Sequence, residues 1–458
     1  MGLGRRWPTT AALRRRAWTG VRSAAVGRTA RGTDRPLSYR EAVHEPHGTD
    51  DLAGAVIGIV GAGTMGAGIA QVALEAGHEV VLYDVDEQAL ERGVERVRAG
   101  LGRRAAKLAL DPDSIDEWVD GRLANLRTAV TLDAVAAAAD VVIEAALEDI
   151  DLKRTIFGTL DREAPPEALL ATNTSALSVA AIAIATRRPE HVLGLHFFNP
   201  APLMPLVEVV RGPQTDGDSV QRTVALMARW GKTPVGADDA PGFIVNRVNR
   251  PFTLEALAML EAGEASIPEI DAALRSAGYP MGPFELMDLT GVDVTLAAAR
   301  GIHEGFGARG DPLADRFRPS DMQERLVEAG RFGRKAGAGF YAYDTELSAD
   351  LPEVPGTVGS DPAAAAEARG PLDPAARDRI VERIELAIVN EAYRARDEGV
   401  ASDGDIDRAL RLGAGHPAGP FESWADRGGA TAIRGELANH ADHGSRFVPA
   451  RSLQRGDN

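Results

Sequence analysis

The stretch "VIGIVGAGTMGAGIA" at residues 56–70 places Gly61, Gly63 and Gly66 directly after a β-branched run. A G-x-G-x-x-G spacing carries weight only where it follows a strand and opens a helix. Both conditions hold here, because an apolar run precedes it and "TMGAGIAQVALEAG" reads as a helix with a Gly C-cap signal at Gly77. The first glycine allows a tight turn. The second lets a pyrophosphate approach the backbone, and the third lets helix and strand pack closely. The N–H groups and positive dipole end of the helix then face the phosphates. Gly61, Ala62, Gly63, Thr64, Met65 and Gly66 are thus the expected cofactor loop. A second apolar run ends in Asp84, about 20 residues on, where a carboxylate accepts from the adenine ribose hydroxyls and repels a 2′-phosphate. NAD is therefore the expected cofactor.

Five further apolar runs follow the first, at 79–84, 140–146, 168–174, 191–197 and 206–210. Runs this continuous suit strands buried on both faces of a mostly parallel sheet. Their alternation with helical patterns, one of them over 86–109, predicts a doubly wound α/β domain at 53–238. The pattern turns helical after "DDAPGFIVNR" at 238–247, and a turn-rich "GRKAGAGFYAYD" ends that region at 333–344. Residues 345–372, rich in Pro, Ala, Gly and Asp, read as a flexible linker.

The helical pattern then repeats. "ASIPEIDAALRSAGYPMGPFE" at 265–285 matches "ASDGDIDRALRLGAGHPAGPFE" at 401–422, and "IVNRVN" at 244–249 matches "IVERIE" at 380–385. Two tandem all-α copies are expected, at 239–344 and 373–450, packed as two subunits would be. They are not equivalent, since Asn246 of the first becomes Glu382 in the second.

Net charge of −16 argues against a general nucleic-acid binder, and no apolar run reaches membrane-spanning length. The chain has no cysteine, which removes thiolate chemistry and Cys-based metal sites; no metal is expected. Its basic residues are almost all arginine, with lysine only at 107, 153, 232 and 335. Residues 1–50 carry many arginines and no acid before Asp34. That composition matches a mitochondrial transit peptide, a disordered basic arm, or upstream sequence read from a wrong start. Residues 1–52 are set apart from the fold, and a cytoplasmic location is expected unless the segment is a true transit peptide.

His196 ends one strand and Glu208 lies twelve residues on, in the next. A histidine whose far nitrogen donates to a carboxylate has the fixed tautomer a base needs. From the residues alone, a structural histidine beside a surface glutamate is the commoner explanation of the pair.

The motifs "GAGTMGAGIA", "ATNTSALS", "GLHFFNPAPLMPLVEVV", "DDAPGFIVNR", "MGPFELMDLTG" and "GRKAGAGFYAY" resemble those of the L-3-hydroxyacyl-CoA dehydrogenase family, in order, over 55–344. Residues 373–450 resemble the extra C-terminal copy of longer bacterial members. The resemblance implies NAD-dependent oxidation of an L-3-hydroxyacyl-CoA, of short chain such as 3-hydroxybutyryl-CoA, to the 3-ketoacyl-CoA in fatty-acid metabolism. It assigns the base to His196, its partner to Glu208, and substrate contacts to Ser175 and Asn246. It assigns cofactor contacts to Glu148, Lys153, Ser175, Asn199 and Lys335, with Asn173 a weaker candidate. Lys107 stands at the family's CoA-binding lysine, whereas Gly100 stands where a CoA-binding serine would be. Arg103 and Arg104 read first as a solvated basic face, with replacement of that phosphate contact as the alternative. One active site per chain is expected, in a homodimer or in a monomer whose two helical copies form an internal pseudo-dimer. The rival readings are a dehydrogenase of a non-CoA hydroxy acid in the same superfamily and a non-enzymatic NAD-binding sensor.

Overall fold

The computed structural model describes residues 52–344 and 346–454. The expectations for 1–51 lie outside the described residues. Eight strands form one sheet: β1 (Ile57–Val60), β2 (Val80–Tyr83), β3 (Leu126–Thr128), β4 (Val141–Glu144), β5 (Leu169–Thr172), β6 (Val192–Phe197), β7 (Leu206–Arg211) and β8 (Thr233–Asp238). Their order is β3-β2-β1-β4-β5-β6-β7-β8. All neighbours run parallel except β6 and β7, so the final two strands run against the rest.

Every residue of β1, β4, β5 and β6 is buried, as continuous apolar runs in a sheet covered on both faces should be. The six predicted strands are present. The two missed ones are marginal in sequence: β3 is three partly exposed residues, and β8 opens on Thr-Pro. The chain reverses direction across the sheet between β1 and β4, which opens a crevice at their carboxyl ends, and the glycine loop after β1 sits there.

The rest is helical. The helices Arg250–Glu261, Ile267–Ser276, Pro283–Thr290 and Val292–Ala308 belong to the first repeat. Pro374–Asp397, Asp403–Gly413, Pro420–Ala425 and Gly429–Asn439 belong to the second. The repeats share one local device. Asp271 accepts from the N–H groups of Phe284 and Glu285 at 3.0 and 3.3 Å. Asp407 does the same for Phe421 and Glu422 at 2.8 and 3.2 Å.

The copies face each other reciprocally. Arg247 pairs with Glu391 at 2.7 Å, and Arg383, its counterpart, pairs with Glu255 at 2.6 Å. Gly278 faces Pro417 and Gly415 faces Pro280. Tyr279 and His416, matching positions before those prolines, stack edge-on with ring centres 5.0 Å apart. Such exchange of identical contacts is the signature of a two-fold interface. One apolar core runs from Val60 on the sheet and Phe157 on the helix Ile150–Glu163 through Phe284 of the first copy to Ile388 and Leu410 of the second.

The segment expected to be a flexible linker is shaped. It holds the helix Pro362–Arg369, capped by Asp361, and buries Val354 and Ala365 against the helical core. Composition flagged the turns but not these two apolar anchors.

Candidate active site

The hairpin from β6 to β7 sets His196 directly opposite Glu208 in the antiparallel register. His196 Nδ1 and Glu208 Oε2 are 2.5 Å apart, and both residues are buried. The other carboxylate oxygen, Oε1, accepts from the N–H groups of Ile244 and Val245 at 3.0 and 2.9 Å. Three donors therefore fix a carboxylate that is fully removed from water, which offsets the cost of burying it. The imidazole packs against Phe198 and Phe243, with ring centres 4.5 and 5.9 Å away. Phe243 adopts φ +48°, a left-handed conformation that non-glycine residues rarely take. It turns the chain between "DDAP" and the one-turn helix Val245–Val248, so that the N–H of Val245 points at Glu208.

That helix brings Asn246 to Ser175. Asn246 Nδ2 donates to the Ser175 carbonyl at 3.2 Å across 71 positions of sequence. The turn carrying Ser175 is held by Glu148, whose Oε1 accepts from Thr174 Oγ1 at 2.5 Å and from the Ser175 N–H at 2.9 Å. Asn173 Oδ1 accepts from the Phe197 N–H at 2.8 Å and so links this turn to the strand bearing His196. Asn199 follows the same strand and joins Pro200 through a cis peptide.

Lys153 is placed differently from the expected cofactor contact. Its side chain is 1% exposed, and Nζ donates to both oxygens of Glu144 at 2.6 and 2.8 Å. It lies 3.4 Å from Glu148 Oε2 and so anchors Glu148 from behind. The physical reason is Glu144, a fully buried carboxylate at the end of β4 that needs a cation beside it. Glu144 belongs to the site although no motif marks it. A lone acid closing the run "DVVIE" was the available signal. Lys335 is also tied up, its Nζ 2.6 Å from Asp293 Oδ1 within the helical region.

The glycine loop fits a dinucleotide. Gly61 takes φ +101°, and a Cβ on Gly66 would lie 1.8 Å from the Gly61 carbonyl oxygen. A Cβ on Gly63 would meet nothing within 4 Å, so that face of the loop is open. The helix Thr64–Glu75 begins at Gly63 with no side-chain cap, leaving its N–H groups for a ligand. Asp84 accepts from the Ala62 N–H at 2.8 Å and thereby also shapes the loop. Beside it opens a cleft of about 610 Å³, flanked by the exposed apolar side chains of Val85 and Val130. A second cleft of about 480 Å³ adjoins the loop, with Arg96, Arg103, Arg104 and Lys107 facing Asn199–Leu203. Gly100 lines it too, and a side chain there would require the Gln71 amide to move aside. Lys232, missed in the sequence, donates to the carbonyls of Ala201 and Met204 at 2.5 and 2.9 Å and holds the far wall. Burial, opposed by nearby Glu75, pulls its ammonium down to about 8. Among the described residues no cluster of side chains suits a metal ion, and no helix is long and apolar enough to cross a membrane.

Comparison with known proteins agrees with this architecture. Residues 56–240 match the family model for the 3-hydroxyacyl-CoA dehydrogenase NAD-binding domain. Residues 242–343 and 380–449 each match the model for the C-terminal domain of that family. The chain is 36% identical to the 3-hydroxyadipyl-CoA dehydrogenase of Escherichia coli, over 87% of this chain and 96% of that one. It is 41% identical to the human mitochondrial hydroxyacyl-coenzyme A dehydrogenase, over 62% and 90%. A crystal structure of 3-hydroxybutyryl-CoA dehydrogenase from Escherichia coli superposes with a TM-score of 0.74 at 36% identity, covering 87% of this chain and 97% of that one.

Proposed function

This chain belongs to the 3-hydroxyacyl-CoA dehydrogenase family and is an NAD-dependent oxidoreductase of 3-hydroxyacyl-CoA; we propose that His196 is its catalytic base. The observation that carries the proposal is the 2.5 Å contact between His196 Nδ1 and Glu208, which leaves Nε2 to take a proton. When bound, the oxidised nicotinamide supplies a hydride acceptor. In the forward direction Nε2 removes the proton of the 3-hydroxyl, the C3 hydride departs, and a C3=O double bond remains. Glu208 stabilises the imidazolium that results. Its own charge is held in place by Ile244 and Val245, so it need not move as the proton arrives.

Asn246 and Ser175, already joined, hold the substrate about its reacting carbon. Glu148 and Asn199 flank the cofactor beside the base, with Lys153 acting through Glu148. Lys335 would hold the cofactor once its salt bridge with Asp293 yields. Asp84 would hold the adenine ribose, and the cleft lined by Val85 and Val130 would take the adenine. The arginine-lined cleft takes the CoA phosphates, with Lys107, Arg103 and Arg104 as their counter-charges.

We assign a short acyl chain, as in 3-hydroxybutyryl-CoA, the substrate named for the superposed Escherichia coli structure. A six-carbon chain ending in a second carboxylate is the rival, because the relative of that name matches both helical copies. Steady-state oxidation with NAD is to be compared among 3-hydroxybutyryl-CoA, longer 3-hydroxyacyl-CoAs and 3-hydroxyadipyl-CoA. The highest kcat/KM on the four-carbon substrate supports the short-chain assignment; the highest on the dicarboxylic one replaces it. Turnover of free hydroxy acids without CoA would contradict the placement of the CoA phosphates.

A further inference from the structure

Arg247 follows Asn246 in the one-turn helix, and its side chain is fully buried. Nε donates to Glu391 at 2.7 Å, while Nη1 and Nη2 donate to the two oxygens of Glu398 at 2.7 and 2.9 Å. Both acids belong to the second helical copy, on and just after the helix Pro374–Asp397. Arg316 holds the other oxygen of Glu391 at 2.7 Å. A planar guanidinium gripped along two edges has one orientation.

The helix it sits on is a single turn, too short to hold its place by itself. It runs through Asn249 into the helix Arg250–Glu261 on one side, and its own residues grip their surroundings on the other. Val245 grips Glu208, Asn246 grips Ser175, and Arg247 grips the second copy. A second contact reaches the same place. Gly413 ends the helix Asp403–Gly413, and a Cβ there would lie 2.6 Å from Leu206, 3.0 Å from Val245 and 3.4 Å from Phe198, the ring against His196. A third lies at the end of β8, where the Asp238 N–H donates to the Val400 carbonyl at 2.8 Å.

We propose that the second helical copy sets the geometry of the active site through Arg247, with Glu391 and Glu398 as positioning residues. They fix the turn that orients Glu208 and presents Asn246. The proposal rests on the reading of His196 and Glu208 as the catalytic pair. The mirror-related salt bridge, Arg383 with Glu255, joins the copies in the same way. It lies next to Glu382 in place of Asn246, so it docks the copies without serving a site. The duplication thus supplies within one chain the surface on which the catalytic turn is seated.

The test uses the full chain. Glu398 is one-third exposed, so Glu398→Gln removes its charge at the rim of the network and not at its centre. Glu398→Asp keeps the charge, and Gly413→Ala presses on Leu206 and Val245 without touching any charge. The readouts are kcat and KM with acetoacetyl-CoA, Kd for NADH by fluorescence, and melting temperature. Glu398→Gln and Gly413→Ala should each lower kcat at least about tenfold and raise the KM for acetoacetyl-CoA, because small misplacements of reacting groups are costly. NADH affinity should stay within about twofold, the change expected when only the chemical step is disturbed. Glu398→Asp should recover most of the lost kcat. Folded variants whose kcat stays within about twofold of the parent, with only a lower melting temperature, would overturn the proposal. If Glu398→Gln fails to fold, Arg247→Lys, which keeps the charge but loses the grip along two edges, takes its place with the same expected and contrary results. An active His196→Gln variant would defeat the underlying assignment of the base. An inactive one beside normal Glu398→Gln and Gly413→Ala would defeat this inference only.

Discussion

Gly66 shows how much a single hydrogen in place of a side chain can decide. A methyl group there would overlap the Gly61 carbonyl oxygen at 1.8 Å, so the loop must open before the chain can close around phosphate. Gly66→Ala should therefore weaken NADH binding at least about tenfold in a fluorescence titration, since the loop's N–H groups lose their aim. Unchanged affinity would show that the pyrophosphate does not rest on this loop. The loop and the His196–Glu208 pair were legible in the sequence for one reason. Each depends on neighbours in the chain or in adjacent strands. Lys153 follows Glu144 by only nine positions, yet nothing in the sequence marked that carboxylate as the group its ammonium meets. Arg247 sits inside a recognisable motif, yet its partner Glu391 is 144 positions away, and no local pattern announces it.

At the scale of elements, the two Asp-capped repeats behave as one device with different reinforcement. Asp271 also accepts from the Tyr341 hydroxyl at 2.8 Å, whereas Asp407 caps only backbone N–H groups. Asp407→Ala should cost about 1–2 kcal/mol in denaturant unfolding, the usual loss of a helix cap. Asp271→Ala should cost more, by about 1–3 kcal/mol, because the buried Tyr341 hydroxyl is orphaned as well. Equal losses would deny that difference. The loop after β6 gives a pH-dependent prediction. Lys232 titrates near 8 in the fold and near 10.5 when unfolded, so the folded state binds fewer protons between those values. Stability from this group is thus lowest below pH 8 and rises toward pH 10.5. Relative to Lys232→Met, the parent should gain stability over that window. A constant difference between the two would mean that Lys232 is not desolvated. Strands buried on both faces were readable as apolar runs. β3 and β8 were not, because edge strands carry polar and Pro residues that mimic loops.

For the molecule as a whole, duplication was visible as sequence repetition, but its geometry was not. Reciprocal salt bridges, facing glycine–proline pairs and the Tyr279–His416 contact show two copies meeting face to face. Among the described residues there is one glycine loop, and the second copy carries Glu382 where the first has Asn246. Calorimetric titration should therefore give one NADH per chain; two would require a second site on the helical side. Sheet, turn and both copies converge on one imidazole, and the most direct measurement addresses it. Single-turnover reduction of acetoacetyl-CoA by NADH is to be followed for the parent and for His196→Gln, alongside NADH affinity. The account predicts a hydride-transfer rate lower by about 10²–10⁴-fold with NADH binding nearly unchanged. A variant that transfers hydride at the parental rate would contradict it.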